Sequence, residues 1–352
     1  FWDDGSESNV YVHDLGSTLG SNFKFTGSAT ISPGWSAGYV MHIEAIGSDG
    51  LTTSQTDPSG PNVYSALSSP SYNGLQTIQS YWYVKSDQLG KLSVGLLSQA
   101  SDNTAILVDG SGSLVPANWV AFDVNSFGLR HNNGALIAGE TWGGAQGCAN
   151  QGGAWGDCNG LTHNGIRYDS PTFGGFSLSA GWGEDDFWDV AARYAGEHAG
   201  FKLAAAVAYN EVTDQAYNNL AAVPNQDYFQ AGLYVQHVPT GLFALYNFGT
   251  LDVEGAAEDA DTHYIKAGLR TKFNHLGATV FYGEYLNGQD GGFFADSELE
   301  VFGLGVVQEI DAAAMSVWIK YRNLSYEDDF HTGPVNGIED FNYVGVGGLI
   351  NF

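Results

Sequence analysis

An all-β fold, and within it a 16-stranded antiparallel transmembrane β-barrel, is what this sequence predicts. Three observations carry that expectation. From residue 21 onward, segments of about ten residues alternate apolar and polar positions. The breaks between them alternate between short and long. Mean hydropathy is only −0.13, and no run of about 18 apolar residues occurs, which excludes a transmembrane helix. A membrane strand needs only about 9–11 residues and turns one face to lipid, so its apolar signal is diluted by half.

In chain order the pattern places strands at 21–32, 35–47, 75–86, 91–100, 162–172, 176–184, 186–197 and 200–210. It continues at 227–238, 241–252, 261–273, 277–287, 298–310, 313–325 and 340–352. The short breaks are built from turn residues, such as Ser32-Pro33-Gly34, Asp87-Gln88-Leu89-Gly90 and Pro239-Thr240-Gly241. The long ones, 48–74, 101–161, 211–226, 253–260, 288–297 and 326–339, are polar, and the short Glu184-Asp185 takes a long-loop place. Barrels of the outer membrane have this asymmetry, whereas a soluble sandwich has no reason for it. Single-chain bacterial barrels have even strand counts, so Phe1-Trp2 reads as the upper end of one more strand, largely absent from the sequence. Residues 1–352 then form a single domain, with 6–20 as the first outer loop.

Composition narrows the function. Against 39 Asp and Glu stand 12 Lys and Arg, a net charge of −27 that excludes a nucleic-acid binder. Aromatic residues make up 14 %, so the chain is not disordered. Phe1-Trp2-Asp3-Asp4 has no signal-peptide features and reads as mature or trimmed sequence. Cys148 and Cys158 lie close together in a Gly-rich stretch, and a disulfide there fits an oxidising compartment; free thiols are the alternative. No metal reading fits so few cysteines.

Alternation assigns faces. In 200–210, Phe201, Leu203, Ala205, Val207 and Tyr209 oppose Lys202, Ala204 and Ala206. In 261–273, Ile265, Ala267 and Leu269 oppose Tyr264, Lys266, Arg270 and Lys272; in 313–325, Met315, Val317, Ile319 and Tyr321 oppose Ser316, Trp318, Lys320 and Arg322. A charge facing mid-bilayer costs about 2–4 kcal/mol, so the basic face should line the lumen. Aromatics such as Phe23, Trp35, Trp82, Tyr168, Phe176 and Trp188 cluster near strand ends, where amphipathic rings suit membrane interfaces.

The stretch from Phe23 to Glu44, with Ser32-Pro33-Gly34-Trp35 at its turn, resembles the early hairpin of alphaproteobacterial general porins. So do Ile166-Arg167-Tyr168-Asp169-Ser170-Pro171, Gly174-Gly175-Phe176 and Ala180-Gly181-Trp182-Gly183, and the terminal Phe352 is similar to an outer-membrane assembly signal. The absent first strand departs from that family's pattern. The resemblance implies a trimeric pore in the outer membrane of a Gram-negative bacterium, surrounded by lipid and lipopolysaccharide. It implies that the third outer loop, here 101–161, folds inward and narrows the channel. A Cys148–Cys158 bond would stiffen that loop, contributing roughly 3 kcal/mol.

A diffusion pore needs a wet constriction with a lateral field, not a catalytic group; catalytic and cofactor-binding residues are expected to be absent. The loop-side candidates are Asp102, Asp109, Asp123, Glu140 and Asp157. The wall-side candidates are Lys24, His42, Arg167, Arg193, Lys266, Arg270, Lys320 and Arg322, with Arg130 pairing inside the loop. The bland reading of each is solvation or a structural ion pair. Excess carboxylates favour cations in the vestibules, and acidic outer loops offer hard oxygen ligands for a structural Ca2+, although no spacing resembles an EF-hand. The expected function is passive diffusion of small hydrophilic solutes and ions. The rival readings are a substrate-specific channel using Trp318 and Tyr264 to stack sugars, an outer-membrane enzyme such as a lipase, and a secreted β-sandwich acting on carbohydrate.

Overall fold

The structure, a computed structural model, describes residues 1–15, 20–45, 50–56, 75–118, 121–145, 162–183, 186–213, 225–292, 294 and 296–351. Cys148, Cys158, Asp157, Glu184, Asp185, Phe352 and most of the 48–74 loop lie outside them. The described strands form one 17-stranded antiparallel sheet and a separate hairpin.

The wall follows the alternating pattern strand by strand. It runs through β3 (Ser21–Ser32), β4 (Trp35–Ala45), β5 (Leu75–Ser86) and β6 (Gly90–Ser98), each paired with the next. β6 then pairs with β9 (Thr162–Asp169), because β7 (Gly128–Arg130) and β8 (Leu136–Thr141) form the separate hairpin. Sequential pairing continues through β10 (Phe176–Gly183), β11 (Trp188–His198), β12 (Phe201–Val212), β13 (Gln226–His237) and β14 (Leu242–Val253). It ends with β15 (Ala260–Thr271), β16 (Thr279–Gln289), β17 (Glu298–Ile310), β18 (Met315–Glu327) and β19 (Phe341–Ile350). These are the expected strands with ends moved by a few residues.

Trp2 and Asp3 form a short β1 on the upper end of β19, opposite Tyr343 and Asn342, and pair on their other side with β2 (Ser8–Asn9). The β1 ladder extends to Phe1, whose N-terminal amine donates to Val344 O at 3.0 Å. Below it, β3 and the lower half of β19 border a cleft of about 1010 Å³ that also reaches His13, Lys24 and Trp318. Turn chemistry closes the short ends: Gly34 (φ +77°) and Gly241 (φ +75°) sit in the left-handed region, and a Cβ at Gly241 would meet Arg270 O at 2.0 Å.

Burial is inverted relative to a soluble protein. On β17 and β18 the outward Leu304 and Ile319 are about half exposed, whereas inward Val307 and Arg322 are 0 % exposed. An outward apolar surface of this extent matches hydrocarbon, not water. The strand aromatics follow suit, with Trp35, Trp82, Phe176, Phe302 and Tyr321 exposed on the outer face. Inside, a hydrophobic cluster joins loop residues Phe127, Leu129 and Trp142 to Trp2, Leu324 and Phe341. The loop therefore packs on the β16–β19 side of the lumen, with the Trp2 and Phe127 rings 5.5 Å apart, edge to face.

Candidate functional site

The wall leaves β6 at Ser98 instead of continuing to residue 100, because Gln99–Thr104 turn inward and find partners on the lumen face. Arg167 Nη1 donates to Gln99 O at 2.9 Å, Arg193 Nη2 to Ala100 O at 2.6 Å, and Ser101 N to Asp189 Oδ2 at 2.5 Å. Gln230 accepts from Ala105 N at 2.8 Å and donates to Ser101 O at 2.8 Å. A turn that would otherwise bury unpaired backbone groups is thus satisfied by polar wall residues.

The loop then crosses to the opposite wall. Lys266 Nζ meets Asp109 Oδ2 in an ion pair with both side chains 0 % exposed, and also donates to Ser113 Oγ at 3.0 Å. Arg270 grips Glu309 with two hydrogen bonds, at 2.6 and 2.7 Å, and donates to Ser111 O at 3.0 Å. After α1 (Leu114–Asn118) and within α2 (Ala121–Val124), Asp123 Oδ2 collects Lys320 Nζ, Arg322 Nη1 at 3.2 Å and Tyr343 Oη at 2.9 Å. Burial pushes the Asp123 carboxyl up, but Lys320 and Arg322 outweigh it and hold it below the usual carboxylate range. Arg322 also donates to Glu284 at 2.8 and 3.2 Å, and Tyr264 donates to the same carboxylate at 2.6 Å.

Farther along, the β7–β8 hairpin is knitted to the outer rim. Arg130 pairs with Asp4 at 2.9 Å and donates to Gly134 O at 2.6 Å, so its partners are both local and distant. Gln55 bonds both backbone groups of Gly128, at 2.9 and 3.0 Å. Asn132 N donates to Gly337 O at 2.8 Å, and Glu140 lies 3.8 Å from His331, whose other ring nitrogen is 2.9 Å from Asp328. Burial raises the Glu140 carboxyl; the His331 contacts outweigh burial at Asp328 and lower it.

Asp109 and Asp123 therefore touch their wall partners instead of facing them across water, and Glu140 sits at the outer rim. The geometry differs at Asp102. It lines a cavity of about 520 Å³ together with Lys91, Arg167, Asp169 and Arg193, and among the described residues it forms no direct ion pair. Burial pushes its carboxyl up to about 7, against the opposing pull of a hydrogen bond from Ser98 and of Arg167 and Arg193. Arg167 is held by Asp169 at 2.8 Å. Lys24 is exposed at the β3 cleft, and His42 is buried on β4 with neither ring nitrogen hydrogen-bonded among the described residues. Asp157 lies outside the described residues.

The wall carboxylates Asp169, Asp189, Glu284 and Glu309 were absent from the expected set. Their signal was present: Glu284 alternates in step with Tyr282 and Leu286 on the buried face of β16. Applying face assignment to acids as well as bases would have found it. Among the described residues, no group of three or more His, Cys, Asp or Glu is placed to hold a metal ion.

A membrane-exposed antiparallel wall, with a charged loop packed against its inner face, defines an outer-membrane channel protein. The chain belongs to the Gram-negative porin family, whose model matches residues 3–329, and its location is the outer membrane of a Gram-negative bacterium. No curated protein matches this sequence. Among solved structures, the anion-selective porin from Comamonas acidovorans is similar at 15 % identity and TM-score 0.56, over 94 % of this chain and 88 % of that one. OmpT of Vibrio cholerae is similar at 12 % identity and TM-score 0.52, over 93 % and 88 %. Salmonella typhi OmpF, solved with daunomycin, has 12 % identity and TM-score 0.51, over 93 % and 89 %. These identities speak for the fold alone.

Proposed function

We propose that the chain is a general diffusion porin that passes small hydrophilic solutes and ions, with a preference for cations. The observation that carries this reading is Asp102 fronting an open cavity opposite Arg167 and Arg193, while Asp109 and Asp123 fasten the loop to the far wall. A loop fixed at several points narrows the lumen without sealing it, and the Asp102 side retains the lateral field that orients water and polar solutes. The sign of selectivity follows the net charge of −27 and weakens with salt. A homotrimer in lipid and lipopolysaccharide fits the family, and OmpT of Vibrio cholerae has been solved in a trimer form at TM-score 0.51. A structural Ca2+ on the acidic outer loops remains part of the proposal.

The sugar-channel reading is weakened by burial. Trp318 is 6 % exposed and Tyr264 1 % exposed, so neither ring offers a free stacking face. The test is single-channel conductance and reversal potential of detergent-purified protein in a planar bilayer under a salt gradient. Openings in steps of three with a cation-selective reversal potential support the proposal. Correctly folded protein that conducts nothing refutes it.

A further inference from the structure

On the strands around the start of the inner loop, period-two alternation turns one set of polar side chains to the lumen. On β9, Ile166 and Tyr168 are exposed on the outer face, so Arg167 and Asp169 point in. On β6, Leu92 is exposed outward, so Lys91 and Ser93 point in. On β11, Trp188 and Val190 are exposed outward, so Arg193 points in, opposite Ser177 of β10. These side chains line the cavity of about 520 Å³ that Asp102 fronts. Sites for small molecules commonly span about 300–1,000 Å³ and orient their ligand with a few placed polar groups, so the volume suits a small solute.

The cations in this cavity outnumber their partners. Asp169 serves two of them, Arg167 at 2.8 Å and Lys91 at 3.4 Å. Arg193 makes no ion pair among the described residues. It donates to Ser179 Oγ at 3.2 Å, Ala100 O at 2.6 Å and Thr104 Oγ1 at 2.8 Å, all neutral acceptors. Asp189 is committed to Ser101 N and does not line the cavity. Three cations therefore stand against Asp102 and Asp169, a surplus of one positive charge with both carboxylates ionised. The lining also carries an unsatisfied hydroxyl: Ser93 is 2 % exposed, and its Oγ has no partner among the described residues. Leaving such a group unpaired is costly, and a solute hydroxyl would satisfy it.

We propose that this cavity is a binding station for small monoanionic hydroxycarboxylates crossing the channel; the inference rests on the porin reading above and names a solute class for it. The carboxylate lies against Lys91 and Arg193, exchanging water for charge-assisted hydrogen bonds, and the solute's hydroxyl groups meet Ser93 and Ser177. A neutral sugar of similar size gains only the hydroxyl contacts, and a dianion exceeds the single surplus charge. The station answers a problem set by composition. A chain of net charge −27 repels anions, and a local positive site holds those that enter. The Lys91 side chain keeps 34 % of its surface in solvent, so the site can release as well as capture, as conduction requires.

The experiment is single-channel current through the full chain in a planar bilayer at about 0.1 M KCl, where the Debye length is about 10 Å. Sodium gluconate is exchanged for NaCl at constant ionic strength, and the excess current noise from binding and release is read. The noise should saturate with gluconate, with half-saturation at a concentration about ten-fold below that for glucose and below those for acetate and inorganic phosphate. Lys91→Gln should raise the gluconate value about ten-fold and Ser93→Ala about three-fold. Lys272→Gln, at an exposed ion pair outside the cavity, should leave it unchanged. Gluconate that binds no better than glucose, acetate or phosphate, in a channel that conducts KCl, overturns the inference and leaves the porin reading standing. So does a half-saturation that neither Lys91→Gln nor Ser93→Ala moves. Absence of KCl conductance overturns both.

Discussion

Asp123 Oδ2 accepts a hydrogen bond from Arg322 Nη1 at 3.2 Å, joining positions 199 residues apart in the chain. The guanidinium is 0 % exposed and is shared with Glu284, so the loop carboxylate completes a charge network already built into the wall. Removing one member of a buried network leaves its partners uncompensated, which costs more than the pair contributes. Asp123→Asn should lower stability by about 3 kcal/mol, seen as an earlier heat-induced mobility shift on gels. It should also release α2 from the wall and raise the variance of single-channel current. An unchanged current trace would place the latch elsewhere.

Asp102 predicts a pH dependence near neutrality. Its carboxyl, ordinarily near 3.8, is pushed to about 7 by burial, so it gains its proton in the folded protein well before it does in the unfolded chain. The sign follows from linkage: burial of the anion destabilises the fold progressively as pH rises from about 4 through about 7. Asp102→Asn should therefore be more heat-resistant than the parent at pH 8, with the difference shrinking as pH falls. Between pH 8 and pH 6 the parent lumen loses one negative charge, and cation preference in the reversal potential should fall. The Asn variant should show a flat profile over that interval.

The outward face supplies a stability prediction. Ile319 is 52 % exposed in mid-strand on β18, flanked on the inner face by Trp318 and Lys320. An arginine there would sit against the hydrocarbon centre at a cost of about 2–4 kcal/mol. Ile319→Arg should shift the urea midpoint of folding into lipid vesicles accordingly, whereas Val12→Arg on the outer loop should not.

The wall was legible in the sequence because period-two alternation and turn residues are local signals. Ile265 and Ile319 fell on the lipid side and Lys266 and Lys320 on the lumen side, as alternation requires. The inner loop was not legible in the same way. That Asp109 meets Lys266 and Asp123 meets Arg322 depends on where the loop crosses the lumen, and no periodicity encodes a crossing. The first turn of the loop was misplaced for a related reason: Leu97 and Ser98 continue the strand pattern, and what ends β6 is Asp189, Arg193 and Gln230 arriving from distant strands. Arg130 finds the expected partner within the loop, Gly134 O, and also reaches Asp4, near the opposite end of the wall in sequence.

Gly232 tests how closely loop and wall are fitted. Its α-carbon faces the loop so tightly that a Cβ would meet Ala105 O at 2.2 Å, far inside any real contact distance. Ala105 cannot retreat freely, because its N–H is held by Gln230 at 2.8 Å and the turn before it by Arg193. Gly232→Ala must therefore push the Gln99–Ala105 turn away from β13 and toward the lumen, at a cost of about 1–3 kcal/mol for overpacking. The turn carries Asp102 with it, into the space that solutes use. Lower single-channel conductance with trimer yield retained is the expected outcome. Wild-type conductance would show that the turn relaxes along the wall instead, and would remove Asp102 from the narrowest part of the path.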